Sequence, residues 1–363
     1  MKLWLDTSKA YAIALEGGGA KGAYEVGVWR ALDEADVRFD AVAGTSVGAL
    51  NGAMMVMGEL EQALRLWENI RFSQVFDADD EQLKKLYDHK LSEVDFRTLF
   101  KDAIEAIHEG GLDIEPLRRL IAEWVDEEKI RASEKKLFLV TYSLTDKREL
   151  DMDADELEEG KLRDMLLASA YVPLFQRKKL DGKDYVDGSV HNIVPISSLL
   201  ERGYRDIIVI RIFGVGFEKR TRIPKDANII TVAPRERLGG VLQFDAAQSR
   251  RLLQLGYFDG LRMLYGLAGE KYYIDRQWSE TEAYFALQEL CRLFIKEETP
   301  SLRVLNETIL PKLAKHLKVK DGGYYDLLTA LLERLAERQG ISPFRVRTEE
   351  MLLLEIAAKM KKK

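Results

Sequence analysis

Two glycine-rich turns constrain what this chain can fold into. Each turn directly follows a short apolar run, at residues 11–15 and 39–43, and each directly precedes a helical pattern. The resulting order of strand, helix, strand and helix falls within the first 58 residues. Such an order is typical of a parallel sheet whose strands are joined by right-handed helical crossovers. The sequence therefore predicts an α/β fold with a mostly parallel central sheet.

The rest of the chain continues this pattern and then becomes helical. Apolar runs at residues 137–144, 207–212 and 229–232 predict three more strands. Residues from about 60 to 125 have a helical and highly charged pattern, and the pattern after about residue 245 is helical. We therefore expect one domain over residues 1–265, with a charged helical insertion at about 60–125, and a helical C-terminal extension over residues 266–363.

Composition excludes several classes of protein. The net charge is −6 and the basic residues are interspersed with acidic ones, so we expect no nucleic-acid partner. Cys291 is the single cysteine, which excludes an intramolecular disulfide, and no cysteine or histidine cluster has the spacing of a metal site. No run approaches the ~20 apolar residues of a membrane span. The first residues also lack the pattern of a signal peptide, so we expect a cytoplasmic protein.

The second glycine-rich turn is the first candidate for chemistry. Gly44-Thr45-Ser46-Val47-Gly48 matches the pattern G-x-S-x-G between a predicted strand and a predicted helix. In a nucleophile elbow the glycines leave room for a tight turn that exposes the serine hydroxyl, while the next N–H points at the substrate carbonyl oxygen. A plain strand-to-helix turn with Ser46 as the helix cap is the competing interpretation.

The first glycine-rich turn has two interpretations. In residues 17–22 (GGGAKG), successive glycines let backbone N–H groups converge on an oxyanion or a phosphate. Gly17, Gly19 and Gly22 also fit G-x-G-x-x-G, and Asp40 stands about where a ribose-binding acid is expected. A dinucleotide-binding protein is therefore an alternative on this segment alone, although it gives no reason for the second turn with its serine.

Asp187-Gly188-Ser189 is the third candidate. An Asp–Gly pair at a strand end is usually only a turn. Asp187 becomes a candidate for catalysis because a nucleophilic serine needs a base. A carboxylate, whose ordinary pKa is about 3.9, can serve if it is held in contact with the serine and partly desolvated.

In this order the three motifs resemble those of the patatin-like phospholipase family. That family has a G-G-G-x-[KR]-G oxyanion loop, a G-x-S-x-G elbow and a D-G-[GA] turn carrying the aspartate of a serine–aspartate dyad. Here they match residues 17–22, 44–48 and 187–189, with Ser189 where the family has glycine or alanine. Residues 168–173 (ASAYVP) also resemble the family's approach to the aspartate. The resemblance covers roughly residues 11–235.

The resemblance implies a three-layer α/β/α fold and a lipid acyl hydrolase, of the phospholipase A or lysophospholipase kind, that uses no cofactor and no calcium. The substrate would be a lipid or another acyl ester, and peripheral membrane contact and a homodimer stay open. The site residues that it implies are the nucleophile Ser46, the base Asp187 and an oxyanion hole formed by Gly17, Gly18, Gly19 and Val47. Lys21 is expected either to hold the loop or to neutralise a lipid phosphate, and a solvated lysine at a helix start is the competing interpretation.

Two other functions remain open at this point. An α/β-hydrolase triad of Ser46, Asp187 and His316 has the required chain order, although His316 lies between lysines in an amphipathic pattern typical of a solvated histidine. His191 is close enough in sequence to orient Asp187, and an incidental turn histidine is the competing interpretation. The second open function is not enzymatic: the sheet would be a non-catalytic scaffold, and the helical C-terminal third would bind a partner.

The last helical pattern contains a dense apolar patch. Its apolar residues are Leu352, Leu353, Leu354, Ile356, Ala357 and Met360. A basic end at residues 359–363 suits the C-terminal end of a helix dipole and would also suit an anionic lipid surface. We expect the helix to be chiefly structural, packed back on the α/β core or across a dimer, because apolar helix faces are usually buried.

Overall fold

The chain divides into two compact units. The computed structural model describes residues 2–77, 111–294, 301–320 and 322–361. One unit is Asp6–Gly260, and the other combines Met1–Leu5 with Leu261–Lys363. The division falls within the helix Ala246–Tyr265, whose last residue is also the expected end of the first domain.

A central sheet organises the unit Asp6–Gly260. Its seven strands within the described residues are β1 (Ala10–Leu15), β2 (Arg38–Thr45), β3 (Lys136–Ser143), β4 (Arg148–Asp153), β5 (Tyr185–Asp187), β6 (Asp206–Ile210) and β7 (Asn228–Val232). The order across the sheet is β4-β3-β2-β1-β6-β7, and β5 also pairs with β3. Strands β3, β2, β1, β6 and β7 run parallel, whereas β4 and β5 run antiparallel to β3. The predicted mostly parallel sheet is confirmed.

The helices of this unit lie in the connections between the strands. They are α1 (Ala23–Glu34), α2 (Val47–Met57), α3 (Leu60–Asn69), α4 (Glu115–Trp124), α5 (Glu127–Ala132), α6 (Leu162–Ser169), α7 (Ile196–Glu201) and α8 (Ala246–Tyr265). Of the predicted charged insertion, α3 and α4 are helical as expected. Its middle part, residues 78–110, lies outside the described residues.

Helices cover both faces of the sheet because alternate strand residues point to opposite sides. On one face, Val42 and Leu137 contact α2 at Gly52, where a side chain would meet both. On the other face, alanines of β1 and β2, such as Ala14 and Ala43, form one apolar cluster with Leu199 and Leu200 of α7. The sheet therefore has a helical layer on each side, which is the expected three-layer architecture.

The second unit is mostly helical. Its elements are β8 (Tyr273–Ile274), α9 (Glu280–Phe294), the short helix Leu302–Val304, a π-helical turn Leu305–Ile309, α10 (Leu310–Leu317), α11 (Tyr324–Arg338), β9 (Val346–Arg347) and α12 (Glu349–Met360). The sequence did not predict β8 and β9, which are two residues each and pair in parallel. Cys291 is buried in the core of this unit, where burial raises the pKa of its thiol.

The final helix packs within its own unit. Leu352 and Ile356 of α12 are buried in one apolar cluster with Leu328 and Leu332 of α11, whereas Leu354 is exposed. The apolar face of this helix therefore packs in the second unit's own core, whereas the sequence predicted packing on the α/β core or across a dimer. Within the described residues, no helix is long and apolar enough to span a membrane.

Candidate active site

Ser46 occupies a strained turn between β2 and α2. Its backbone has φ 57° and ψ −126°, a conformation that a residue with a side chain rarely adopts. The flanking glycines make the turn possible, because a side chain at Gly44 would lie 2.2 Å from the carbonyl oxygen of Gly48, and one at Gly48 would lie 2.6 Å from that of Leu15. Such strain is characteristic of functional sites, where surrounding structure holds it in place.

The hydroxyl of Ser46 is in direct contact with Asp187. Ser46 Oγ donates a hydrogen bond to Asp187 Oδ2 at 2.6 Å, although 141 residues separate them in sequence. Asp187 ends β5, and its other oxygen, Oδ1, accepts the N–H of Ser189 at 2.8 Å. Both side chains are buried, with Ser46 6% and Asp187 3% exposed. The chain folds these two sequence-predicted residues into one pair.

The environment of Asp187 increases its affinity for a proton. Burial raises the pKa of Asp187 above its ordinary value, and the hydrogen bonds from Ser46 and Ser189 oppose part of that rise. A carboxylate that is short of solvent is a stronger base than one in water. The pair can therefore pass a proton from serine to aspartate.

A buried serine that the sequence did not single out holds the elbow in position. Ser169, at the end of α6, accepts the N–H of Ser46 at 2.9 Å and donates to the carbonyl oxygen of Val140 at 2.6 Å. Two residues further on, the carbonyl oxygen of Tyr171 accepts the N–H of Asp187 at 2.8 Å. The segment 168–173 thus supports both members of the pair. Its resemblance to the family was the only sequence signal for this role.

The first glycine-rich loop lies beside Ser46. A side chain at Gly17 would approach Ser46 Cβ to 3.3 Å and Ser189 Oγ to 2.4 Å, so it would have to displace the Ser189 hydroxyl beside the pair. The N–H of Gly17 donates to the carbonyl oxygen of Ile193 at 3.0 Å. In the described part of the chain, the N–H groups of Gly18, Gly19 and Val47 donate to no protein oxygen. The loop and the elbow together therefore contain three unengaged donors in the described part of the chain.

Gly19 needs the conformational freedom of glycine. Its φ is +56°, and a side chain there would lie 2.1 Å from the carbonyl oxygen of Val241. That same oxygen accepts the N–H of Ala20 at 2.8 Å, so the loop is fixed against the segment that precedes α8. The segment around Val241 therefore holds the loop on one side, and Gly19 on the loop also lines the cleft that begins at Ser46.

Lys21 holds two segments together. Its Nζ donates to the carbonyl oxygen of Phe213 at 2.5 Å, beyond the end of β6. Burial lowers the pKa of Lys21, and the neighbouring charge of Glu16 opposes this shift. Of the expected roles, this contact corresponds to holding the loop.

A cleft of about 800 Å³, part of it open to solvent, begins at the serine. Except for Ser46 and Asn51, the side chains along it are apolar or aromatic. Besides these two, the cleft is lined by Gly19, Val47, Leu50, Met54, Leu66, Trp67, Ile70, Val75, Phe76, Leu117, Leu120, Ile121, Trp124, Val125, Ala170, Val172, Phe175, Val241, Leu242 and Phe244. Such a lining suits a hydrocarbon chain and offers almost nothing to a sugar or a phosphate.

A buried polar network borders this cleft. Asn51 donates to the carbonyl oxygen of Gly22 at 3.0 Å and to Glu25 Oε2 at 2.8 Å, and its own oxygen accepts Trp67 Nε1 at 3.0 Å. Burial raises the pKa of Glu25 well above its ordinary value. The network fixes the end of the glycine-rich loop to α2, and nothing in the sequence patterns indicated it.

The two histidines among the described residues do not join the pair. Because Ser46 bonds directly to Asp187, no imidazole lies between these two side chains. His191 instead contacts Glu149 at 2.5 Å and stacks on Tyr142. His316 is exposed in α10, in the other unit. His89 and His108 lie outside the described residues.

The position of Asp40 bears on the dinucleotide-binding alternative. Asp40 is exposed near the amino end of β2, whereas an acid that binds a cofactor ribose must stand near the carboxyl ends of the strands. Across the described ranges, no group of three or more histidine, cysteine or acidic residues could hold a metal ion.

Comparison with known proteins places this geometry in a family. A family model described as patatin-like phospholipase matches residues 13–200, which is just over half of the chain. The chain belongs to the patatin-like phospholipase family. Family membership implies a lipid acyl hydrolase, and the matched range includes the glycine-rich loop, the elbow and Asp187.

Individual relatives match over one short stretch. Lysophospholipase nte1 of Aspergillus terreus is 48% identical over 46 residues, which is 13% of this chain and 3% of that protein. Patatin-like phospholipase domain-containing protein 7 of Mus musculus is 50% identical over 48 residues, 13% of this chain and 4% of that protein. Neuropathy target esterase sws of Drosophila persimilis is 45% identical over 51 residues, 14% of this chain and 4% of that protein.

Among solved structures, VipD from Legionella pneumophila is similar with a TM-score of 0.43 and 14% identity, over 97% of this chain and 87% of that chain. A likeness of this size does not establish a shared activity.

Proposed function

We propose that this protein hydrolyses the acyl esters of lipids, with Ser46 as the nucleophile and Asp187 as the base. The observation that carries the proposal is the 2.6 Å hydrogen bond between Ser46 Oγ and Asp187 Oδ2 at the start of an apolar cleft. A hydroxyl bonded to a buried carboxylate can lose its proton as it attacks, and the adjoining cleft suits an acyl chain.

In this mechanism Ser46 Oγ forms a bond to the ester carbonyl carbon, and its proton moves to Asp187. The unengaged N–H groups of Gly18, Gly19 and Val47 stabilise the developing oxyanion, and one such donor is typically worth about 3 kcal/mol of the barrier. The N–H of Gly17 is not counted among these donors, because it already donates to the carbonyl oxygen of Ile193 and so holds the loop. The proton on Asp187 then passes to the departing alcohol, which leaves an ester between the acyl group and Ser46.

Deacylation repeats the same steps with water. Asp187 removes a proton from a water molecule that attacks the acylated Ser46, and the second tetrahedral intermediate occupies the same oxyanion hole. Its collapse releases the fatty acid and restores the hydroxyl of Ser46. No imidazole and no metal ion takes part in either half of this scheme.

The test uses a soluble aryl ester and a panel of phospholipids, lysophospholipids and acylglycerols. Ser46→Ala and Asp187→Asn should each lose nearly all activity on every substrate, because the first has no nucleophile and the second cannot accept its proton. His316→Ala and His191→Ala are the controls and should retain most activity. If His316→Ala is inactive while Asp187→Asn is merely impaired, a triad replaces the proposed dyad.

A further inference from the structure

The connection between β6 and β7 is long and irregular, and it leaves the edge of the sheet where Ser46 lies. Residues 211–227 join two parallel strands without forming a helix or a strand. Long connections without regular structure are uncommon in compact domains and usually have a function. This connection begins at the carboxyl end of β6, beside the glycine-rich loop.

Phe213, near the start of the connection, is both strained and exposed. Its φ is +46°, a region that a residue with a side chain avoids, and 53% of the residue is exposed. The buried carboxylate of Glu16 holds it there by accepting the N–H groups of Ile212, Phe213 and Gly214 at 2.8 to 3.1 Å. The guanidinium of Arg211 lies near the ring, 5.6 Å from its centroid, and an exposed aromatic ring held in an unfavourable conformation is typical of functional segments.

Two more exposed apolar side chains lie next to the Asp187 turn. Phe217 is 59% and Val190 46% exposed. The N–H of Phe217 donates to the carbonyl oxygen of Ser189 at 2.7 Å, and its carbonyl oxygen accepts the N–H of Ile193 at 2.8 Å. We call Val190, Phe213 and Phe217 the apolar rim. Phe213 lies in the segment that Lys21 of the glycine-rich loop holds, and Val190 and Phe217 lie next to the Asp187 turn.

Unpaired positive charges follow the apolar rim along the chain. Residues 213–225 contain four basic residues and one acidic residue, although the whole chain has a net charge of −6. Lys219 pairs with Glu149, whereas Arg220 and Arg222 are exposed and pair with no carboxylate in the described part of the chain. An extended chain reaches about 3.5 Å per residue, so Arg220 lies within about 11 Å of Phe217.

From this combination we propose that the apolar rim and the two arginines dock the protein on an anionic lipid surface. Phe213, Phe217 and Val190 would enter the boundary between headgroups and acyl chains, and Arg220 and Arg222 would contact the anionic headgroups. Docking would bring the serine and its cleft to the membrane that contains the substrate. The purpose of docking rests on the proposed hydrolase function, but lipid binding itself needs no turnover.

The experiment measures binding to vesicles in a Ser46→Ala background, so that hydrolysis cannot alter the lipid. The vesicles contain equal parts phosphatidylcholine and phosphatidylglycerol, and binding is measured by co-sedimentation. Phe213→Asn with Phe217→Ser should weaken binding on the order of tenfold or more, because two apolar rings no longer enter the lipid. Asparagine is chosen for position 213 because it tolerates a positive φ, so the variant should fold.

The control is Phe285→Ser, which removes an equally exposed ring of the second unit and should leave binding unchanged. Arg220→Ser with Arg222→Ser should lose about fivefold in affinity for each arginine on these vesicles and little on pure phosphatidylcholine. The proposal is overturned if the parent protein does not bind, if the double phenylalanine variant binds as well as the parent, or if the arginine variant keeps its full affinity. If the protein with Ser46 intact hydrolyses none of the lipids or aryl esters while the Ser46→Ala protein still binds vesicles through the rim, the docking proposal stands and the proposed hydrolase fails.

Discussion

At the scale of the residue, the chemistry depends on how a carboxylate can do the work usually given to an imidazole. Asp187 would be a weak base in water, where its ordinary pKa is far below that of a serine hydroxyl. Burial raises that pKa, and the direct bond to Ser46 removes any need to bring the two groups together during the reaction. Basicity and position come from the same buried turn.

The raised pKa of Asp187 predicts a pH dependence. Activity requires the ionised carboxylate, so kcat/KM should fall as the pH falls through the pKa of Asp187, which lies above the ordinary value of 3.8. Measuring kcat/KM on a soluble aryl ester over the acid range would locate this limb. Asp181→Asn is the control, because Asp181 is exposed and paired with Lys161 and should leave the limb unchanged. A limb at or below pH 3.8 would contradict the proposed role of burial.

Ser169 gives a second prediction at this scale. Ser169→Ala would leave the N–H of Ser46 and the carbonyl oxygen of Val140 buried without partners, which should cost about 1–3 kcal/mol of unfolding free energy. Because the N–H belongs to the nucleophile's own turn, kcat should fall as well. Urea unfolding and aryl ester rates check both effects, with the exposed Ser8→Ala as the control. A variant of unchanged stability and rate would show that the elbow does not need this bond.

The sequence could predict Ser46 and Asp187 but not the residues that position them. Ser46 has a local pattern, because a tight turn at a strand end needs glycines on both sides. Asp187 was found through family resemblance. Glu16, Ser169 and Asn51 act through contacts with segments that are distant in the sequence. A single polar residue in an apolar run does not indicate which distant segment it will contact.

At the scale of the element, we expect the glycines of the elbow to be required because a side chain there would clash with the backbone. A side chain at Gly44 would lie 2.2 Å from the carbonyl oxygen of Gly48, which is backbone and cannot move aside. Gly44→Ala should therefore destabilise the protein by about 3 kcal/mol or more. Gly203→Ala is the matched control, because φ is +92° there but nothing lies within 4 Å, so only backbone strain of about 1–2 kcal/mol is expected. Equal losses in urea unfolding would contradict the steric argument.

The sequence predicted the buried strands better than β4, at one edge of the sheet. Strands β1, β2 and β6 are buried on both faces and appear as continuous apolar runs. Strand β4 (RELDMD) is half-buried and charged, and it forms only because β3 supplies a complete antiparallel partner. Propensity is weak for such an edge strand, since pairing and not sequence decides its conformation.

At the scale of the whole molecule, the second unit has a core of its own. Its helices α9, α11 and α12 contribute to a single apolar cluster. Glu349, at the start of α12, is buried and accepts the N–H groups of Gln277 and Trp278 and the hydroxyl of Tyr325. The final helix therefore contributes both apolar burial and a buried acceptor to this unit.

Truncation after Arg347 tests whether the final helix is structural. The shortened chain lacks Leu352 and Ile356, and the loss of each such side chain from a core typically costs about 2–5 kcal/mol. We therefore expect the second unit to melt at a lower temperature or to aggregate. Scanning calorimetry measures this, together with aryl ester rates and binding to anionic vesicles.

Ending the chain after Met360 is the matched control for that truncation. It removes only the lysines that follow the helix and leaves Leu352 and Ile356 in place, so the melting temperature should not change. If truncation after Arg347 also leaves the melting temperature and the aryl ester rate unchanged while vesicle binding is lost, the final helix docks on lipid and is not structural. If vesicle binding instead survives the truncation and is lost only when Phe213 and Phe217 are replaced, lipid binding depends on the apolar rim, and the final helix contributes only to the second unit's core.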